Sequence, residues 1–499
     1  MTVEKDEKDF VELAKRRGIF WPTAEIYGPI AGFWNFGPLG ASLKRKVTEA
    51  WRKHVVKKDD MIETDGAQIM PMEVFKSSGH LSSFQDPLVE CTKCKKIYRV
   101  DKLIQNKTGE VVPEAMKSEE FDKLLKKNKI KCACGGELSK TIMFNLMLKT
   151  FLGTKQDEIA YLRPETCQTI FTDFSLIFRS SRAKLPIGIA QTGKSFRNEI
   201  SPRNNLFRQR EFTQAEVEVF FNPKKENSFE KFESVKNYKI NFALLGKEDN
   251  MVEMTCEEAF NKKVFRSKIE AYYLALHLQF FEVVGIPKEI MRIREIGPEE
   301  RPFYAKSAWD LEVKTSLGWT EVIANHYRTD HDLKFHSEGS GANLTVMDGK
   351  EKVLPWVWED SMGIDRLMLV LLDIGLKEEG ERVYLKLSPE VSPYQIAVFP
   401  LVNKDGLDSK AFEIYKSLKE KFDAFYDDSG SIGRRYARQD EIGTPFCITI
   451  DYDTMKDDTI TLRDRDTTKQ IRVSIREIQS VVLRLMEGEK IEEVGKLIK

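Results

Sequence analysis

One stretch restricts the fold of this chain more than any other. It runs Phe196-Arg-Asn-Glu199, then the polar loop Ser201-Pro-Arg-Asn-Asn205, then Arg208-Gln-Arg-Glu-Phe212. Two strands joined by so short a loop put Arg197 and Arg208 on one side of a sheet, where Phe212 can offer a ring for stacking a base. The span Arg179 to Glu211 holds eight Lys or Arg against two Glu. Arginine suits a bidentate grip on phosphate or carboxylate. An isolated Arg-Asn-Glu reads as an ordinary solvated hairpin, because short motifs recur by chance. Partners further along the chain remove that reading here.

The setting is a multidomain globular chain. At 499 residues, two to four domains are expected. With 41% hydrophobic and 32% charged residues, disordered, collagen-like and disulfide-stapled classes are excluded. No apolar run reaches membrane-span length, and the charged start MTVEKDEKDF does not fit a signal peptide. Lys+Arg and Asp+Glu are both 79, so a nucleic-acid surface has to be a local patch. Seven Cys without a secretory signal point to a reducing, cytoplasmic setting.

Along the chain, Leu39, Leu43, Val47, Trp51 and Val55 recur at i+4 and predict a helix with one buried stripe, after the Gly- and Pro-punctuated loop Gly32 to Pro38. Residues 88–145 read as an inserted module carrying four Cys and the Lys-rich run Lys117 to Lys131. Residues 146–388 alternate strands and helices, with a strand at Ala215–Phe221 and a helix over 266–284 stopped by Gly285 and Pro287. Prolines 389 and 393 mark a boundary. Beyond it come a strand at Gln395–Val402, a helix over 409–425, strands at Phe446–Asp451 and Thr459–Arg463, and a final helix from Ser474.

The hairpin, together with Gly363-Ile-Asp-Arg366 opening an apolar helix and a helix-then-strand segment over 39–71 ending at Met70-Pro71, resembles the three motifs of class II aminoacyl-tRNA synthetases. Within that class the chain is similar to the homodimeric glycyl-tRNA synthetases. The similarity is carried by Phe33-Trp-Asn-Phe-Gly-Pro-Leu-Gly40, Tyr98-Arg99, Phe144 to Thr150, Tyr161-Leu-Arg-Pro-Glu-Thr166, Gly318-Trp-Thr-Glu321 and Glu359-Asp-Ser361. It implies an α+β class II catalytic domain on an antiparallel sheet, formed by residues 1–87 and 146–388 around the inserted module 88–145. An α/β anticodon-binding domain over 389–499 follows. It also implies a homodimer through the first motif and no membrane partner.

The same resemblance implies roles. Arg197 grips the α-phosphate of ATP, and Glu199, with Asn198 beside it, reads the adenine amino group. Arg208 holds the outer phosphates, Phe212 stacks on adenine, Arg366 faces the phosphates from the opposite side, and Val322 lines the ATP site. Glu321 and Glu359 hold Mg²⁺. Glu165, Glu216, Glu359 and Ser361 surround glycine, with Arg99 nearby. Glycine is the smallest amino acid, so selection has to exclude larger rivals, and crowded carboxylates bind the ammonium while filling the space of a β-carbon. Two departures lie beside this pocket: the family's Gly-Cys/Ile-Ala-Asp-Arg reads Ala324-Asn-His-Tyr-Arg328, and its Glu-Pro-Ser reads Glu359-Asp-Ser361.

Cys91-x-x-Cys94 and Cys132-x-Cys134-Gly-Gly suit a tetrahedral Cys₄ zinc ribbon, although the second spacing is short and relatives can keep such an insertion without metal. Cys167, Cys256 and Cys447 read as packing residues. His326, His331 and His336, five residues apart, fit no single face and read as polar contacts rather than ligands. Arg434, Arg435, Arg438, Arg463 and Arg465, with the rings of Tyr436 and Phe446, are the candidates for reading tRNA. Two rival readings fit the sequence less well. A non-catalytic nucleic-acid-binding relative would lack the phosphate-gripping arginines that this chain keeps. A class II enzyme for threonine, serine or proline does not fit the Glu165, Glu216 and Ser361 set.

Overall fold

The computed structural model describes residues 7–498 except 110, 111, 113–115, 156, 201, 203, 204 and 303. Ser201, Arg203 and Asn204 of the hairpin loop therefore lie outside the described residues. The frame is a nine-stranded sheet whose centre is built from β1 (Ile187–Phe196), β2 (Glu211–Phe221), β3 (Ala308–Thr315), β4 (Gly318–Thr329) and β5 (Trp356–Gly363). In space they run β3-β4-β5-β2-β1, every neighbour antiparallel. The antiparallel expectation holds across this centre. The flanks add two parallel pairs, Ile62–Thr64 with β1 and Lys239–Ala243 with Met291–Glu295.

Period-2 alternation sorts the two faces. On β2, Ala215, Val217 and Val219 join a large core under three helices, α1 (Pro38–Trp51), α3 (Lys268–Val283) and α4 (Ile364–Gly375). On the other face, Phe220 packs with Phe171 and Phe174 of a further helix, α2 (Cys167–Ser180). Pro38 at the first turn of α1 has no N–H to leave unpaired. Its predicted stripe is buried at Leu43, Val47 and Trp51 and continues through a wider turn, Arg52–Lys57, that buries Val55. Ser267 Oγ accepts the Glu270 amide at 3.2 Å, and Glu270 bonds back to the Ser267 amide, a capping box that starts α3 and contributes about 1 kcal/mol. Gly285, at φ +100°, ends that helix where expected. The apolar α4 is buried on nearly every side, as its sequence requires.

The inserted module has its own three-stranded sheet, Ile97–Arg99, Gln85–Glu90 and Ile142–Asn145, and a small core of Val89, Val100, Ile104, Phe121, Leu125 and Ile130. A segment this polar and Lys-rich nevertheless builds a core of its own. Phe121 and Leu125 of the helix Ser118–Lys127 face inward, and the lysines occupy its outer side.

The last 110 residues form a six-stranded mixed sheet with its own core. Two expectations are corrected here. The helix predicted over 409–425 ends at Lys419, and Ala424–Tyr426 is a short parallel strand. Ser474 closes a strand, Gln470–Ser474, and the final long helix spans Ile478–Met486. Ile471 and Val473 alternate inward, which is the strand period. This sheet docks on the helix layer: Lys46 of α1 reaches Asp423 at 2.8 Å, and Ser42 Oγ of α1 donates to the Pro393 carbonyl at 3.2 Å.

Candidate active site

A cleft of about 1020 Å³ opens on the sheet face opposite α1, α3 and α4, over β2, β4 and β5. At one end stand the cations of the hairpin. Arg197 donates from Nε to the Pro164 carbonyl at 3.1 Å, and its guanidinium lies 5.3 Å from the Phe212 ring centroid and 5.4 Å from that of Phe84. Arg208 pairs with Glu199 at 2.9 Å, and Arg366 pairs with Glu321 at 2.8 Å. Both arginines are partly exposed, so these are surface-type pairs worth about 0–1 kcal/mol and easily exchanged for an anionic ligand. Arg197 and Arg208 belong to the connection rather than to the strands, which end at Phe196 and begin at Glu211. Asn198 is held to the Leu146 carbonyl through its amide. Val322 lines the cleft at a β-bulge: Glu321 opposes Glu312 and Ile323 opposes Leu311, leaving Val322 as the extra residue.

Asp365 is a determinant that sequence reasoning did not assign. Buried at the start of α4, it accepts the Thr213 amide at 2.9 Å and forms an ion pair with Lys44 Nζ at 2.6 Å. It therefore ties α4 and α1 to the start of β2. The available signal was an acid in the first turn of an otherwise apolar helix, where the dipole favours it. Burial pulls the Lys44 ammonium below its ordinary value although Asp365 opposes this.

The other end of the cleft is a buried acidic nest. Glu165 accepts from Cys167 Sγ at 2.9 Å and Gln168 Nε2 at 3.1 Å, and meets His80 Nε2 at 3.1 Å. Burial opposes its charge, but His80 and Arg328 hold its carboxyl well below the usual range. Glu216 sits one layer behind, fully buried, with Thr166 donating at 2.6 Å and Ser361 and Gln214 each at 2.7 Å. Burial first, then the charges of Glu165 and Glu359, push Glu216 up to about 7. Glu359 is held by Arg328 at 2.9 Å and His326 at 2.6 Å. Glu218, also fully buried, has neither oxygen hydrogen-bonded, and burial with the neighbouring Glu359 pushes it well up. Arg328, its guanidinium 3.9 Å from the Tyr304 ring centroid, completes the nest by forking onto Asp332 at 2.7 and 2.9 Å. Arg328, Glu218 and Asp332 went unassigned from sequence because buried charges look like any others in a charged chain.

Several expected positions stand elsewhere. Arg99 pairs with Asp86 at 2.8 Å and Asp101 at 2.7 Å, and Asp86 feels Glu199 and Arg208, so Arg99 belongs behind the cation end. Asp360 does not face the cleft. Alternation on β5 turns it to the helix layer, with Trp358 Nε1 donating at 2.9 Å and His277 Nδ1 3.8 Å away. Both oxygens of Glu359 are engaged by Arg328 and His326, which leaves Glu321 as the less encumbered of the two expected Mg²⁺ carboxylates. Cys167, Cys256 and Cys447 are buried, and His336 bonds Gln168 at 2.9 Å.

In the module, Cys91, Cys94, Cys132 and Cys134 converge, with all four sulfurs within 4.8 Å of one another and two S···S separations of 3.5 Å. Thiolates about 2.3 Å from a tetrahedral zinc stand about 3.8 Å apart, so the cage fits that ion. A Cβ on Gly136 would come within 2.7 Å of Cys91 Sγ, so only glycine lets the second knuckle close.

The candidate RNA-reading arginines are mostly structural. Arg435 is buried and donates to the carbonyls of Asp428 and Gly430 at 2.8 Å, and to that of Pro400. Arg463 forks onto Asp440 at 2.9 and 3.0 Å, and Arg465 donates to the carbonyls of Gly443 at 2.7 Å and Leu387 at 2.9 Å. Arg438 pairs with Asp427 at 2.6 Å. Phe446 is in the core, and Tyr436 is capped by Thr449. Of the named cations, Arg434 alone is exposed.

Residues 150–375 match the model of the tRNA synthetase class II core domain (G, H, P, S and T), and residues 395–485 match that of an anticodon binding domain. The chain is 39% identical to the glycine–tRNA ligase of Pyrococcus furiosus and 38% identical to that of Pyrococcus abyssi, each alignment covering 96% of this chain and 98% of the relative. It is 37% identical to the glycine–tRNA ligase of Methanothermobacter thermautotrophicus, over 95% of this chain and 98% of the relative.

Proposed function

This chain belongs to the glycine–tRNA ligase family, activating glycine with ATP and charging glycine tRNA, and on that premise we propose how its residues divide the work. A glycine carboxylate oxygen attacks the α-phosphorus. The bond from that phosphorus to the bridging oxygen breaks, and pyrophosphate leaves. The tRNA 3′-terminal hydroxyl then attacks the glycyl carbonyl and releases AMP. Negative charge builds between two anions in the first step, and preorganised cations relieve it without any protein nucleophile.

Arg197 holds the α-phosphate, and the flanking faces of Phe212 and Phe84 support its guanidinium in that position. Glu199 and Asn198 read adenine, and Phe212 stacks on it. Arg208 and Arg366 exchange their partners Glu199 and Glu321 for phosphate oxygens when ATP enters. Mg²⁺ entering with ATP would supply further charge neutralisation, and Glu321, released by Arg366, is the carboxylate that would hold it. Glu165 and Glu359, backed by Glu216 and Ser361, take the ammonium of glycine. One observation carries this reading: the buried acidic nest and the partly exposed cations line one cleft, matching a substrate pair that brings an ammonium and phosphates together.

Cys91, Cys94, Cys132 and Cys134 hold one structural zinc, which fixes the module that supplies Gln85 and Met143 to the cleft wall. Residues 389–499 read the anticodon and 1–388 do the chemistry. The chain acts in the cytoplasm as a homodimer through the first-motif region. No described helix is long and apolar enough to cross a membrane, and Ile26, Tyr27, Ile30 and Ile69 stand exposed near that motif.

Amino-acid-dependent ATP–pyrophosphate exchange over a panel of amino acids tests the assignment. Glycine alone should support rapid exchange, and Arg197→Ala should lower it by ~10²–10³ with the fold intact. A normally active, folded Arg197→Ala protein would overturn the role given to Arg197.

A further inference from the structure

His326 closes the amino-acid end of the cleft and has no part in the chemistry above. β4 and β5 pair with His326 opposite Glu359 and Ala324 opposite Ser361, so all four project from one sheet face. Directly opposed residues have Cβ atoms about 4.5–5.5 Å apart, which sets the imidazole against the carboxylate. Its Nδ1 lies 2.6 Å from Glu359 Oε2. An ionised carboxylate only accepts, so the ring donates. The Tyr304 ring meets the imidazole edge to face, centroids 5.6 Å apart, and blocks it from swinging away from Glu359. The ring is therefore fixed on two sides.

We propose that His326 is a specificity-determining residue. Its ring occupies the space a substrate β-carbon needs, and its Nδ1–H holds Glu359 where the glycine ammonium binds. An enzyme for the smallest amino acid gains nothing from side-chain contacts and has to reject by exclusion. A wedge rejects in proportion to its rigidity, because a mobile ring would yield to alanine for little energy. Glu359, held by Arg328 on one oxygen and His326 on the other, is fixed in the plane the two donors define. The inference rests on glycine as the substrate and Glu359 as an ammonium carboxylate.

Pyrophosphate exchange with glycine and with alanine, on the full-length wild-type, His326→Ala and His326→Asn proteins, tests it. His326→Ala loses both the wedge and the donor: the glycine KM should rise about tenfold with a smaller change in kcat. The alanine-to-glycine ratio of kcat/KM should rise at least tenfold, since one methyl group is typically worth ~10–200-fold. His326→Asn keeps an N–H donor on a smaller side chain, so its glycine KM should stay within about threefold of wild type while alanine is still admitted. A merely structural role would move neither the alanine ratio nor the Ala-versus-Asn difference in KM. If the wild type shows glycine-dependent exchange and either folded variant rejects alanine as strictly as the wild type does, the inference fails alone. If the wild type shows no glycine-dependent exchange, the underlying assignment fails with it.

Discussion

Replacing Arg328 by methionine is the sharpest perturbation of the acidic nest, because this one guanidinium serves two buried carboxylates. It is 1% exposed, and it makes two bonds to Asp332 at 2.7 and 2.9 Å and one to Glu359 at 2.9 Å. Methionine fills similar space without charge and leaves both carboxylates buried without their cation. Breaking a buried pair by removing one partner typically costs about 3–5 kcal/mol, which is the expected loss here at neutral pH. The loss should depend on pH, and its sign follows from Asp332. Burial pushes that carboxyl upward, but the Arg328 fork holds it below the ordinary carboxylate value. A carboxyl depressed in the folded state stabilises above its unfolded pKa, and the contribution is lost as pH falls through the folded value. In Arg328→Met the fork that depressed it is gone and burial, the largest influence on this carboxyl, prevails, so the variant's deficit is largest at neutral pH and narrows toward acid. Urea unfolding followed by tryptophan fluorescence at pH 7.5 and pH 5 reads both quantities. The double variant Arg328→Met/Asp332→Asn should recover part of the loss, because it removes one stranded charge. A loss below about 1 kcal/mol, equal at both pH values, would refute the reasoning.

Protein purified without added metal should carry about one zinc per chain, and Cys91→Ser with Cys132→Ser should carry none; metal-free, stable wild-type protein would remove the zinc assignment. Asp440→Ala should strip Arg463 of both its bonds and Arg382 of one of its partners, destabilising the C-terminal domain by about 3–5 kcal/mol and weakening tRNA charging more than exchange. Equal melting of variant and wild type would show that the arginines have other support. Arg434→Glu, at the exposed one of the candidate arginines, should leave exchange unchanged, raise the KM for tRNA and flatten its salt dependence. Unaltered tRNA kinetics would move the recognition surface off that helix.

The amino-acid order alone determined where the strongly patterned elements form, because helix stripes, strand alternation and end signals are local. The stripe Leu43, Val47, Trp51 was readable for that reason, and so was the stop at Gly285. Quoted motifs identified the hairpin cations and the two Cys pairs, since ligand type and short spacing travel together along the chain. Where the last strand and helix lie is not legible in the sequence, because Ile471 and Val473 are only two apolar residues in a charged segment. Which charged residues are buried was decided by tertiary structure. Arg463 and Arg465 look like an RNA-binding pair in sequence, yet one grips Asp440 and the other two backbone carbonyls. Asp360 and Glu359 are neighbours in the chain and lie on opposite faces of β5, one against α3 and one in the cleft. Arg328 meets Asp332 within one segment, but only the pairing of β4 with β5 brings it to Glu359. Burial and pairing depend on which strands become neighbours, and strand order is a contest among long-range contacts that no local pattern encodes.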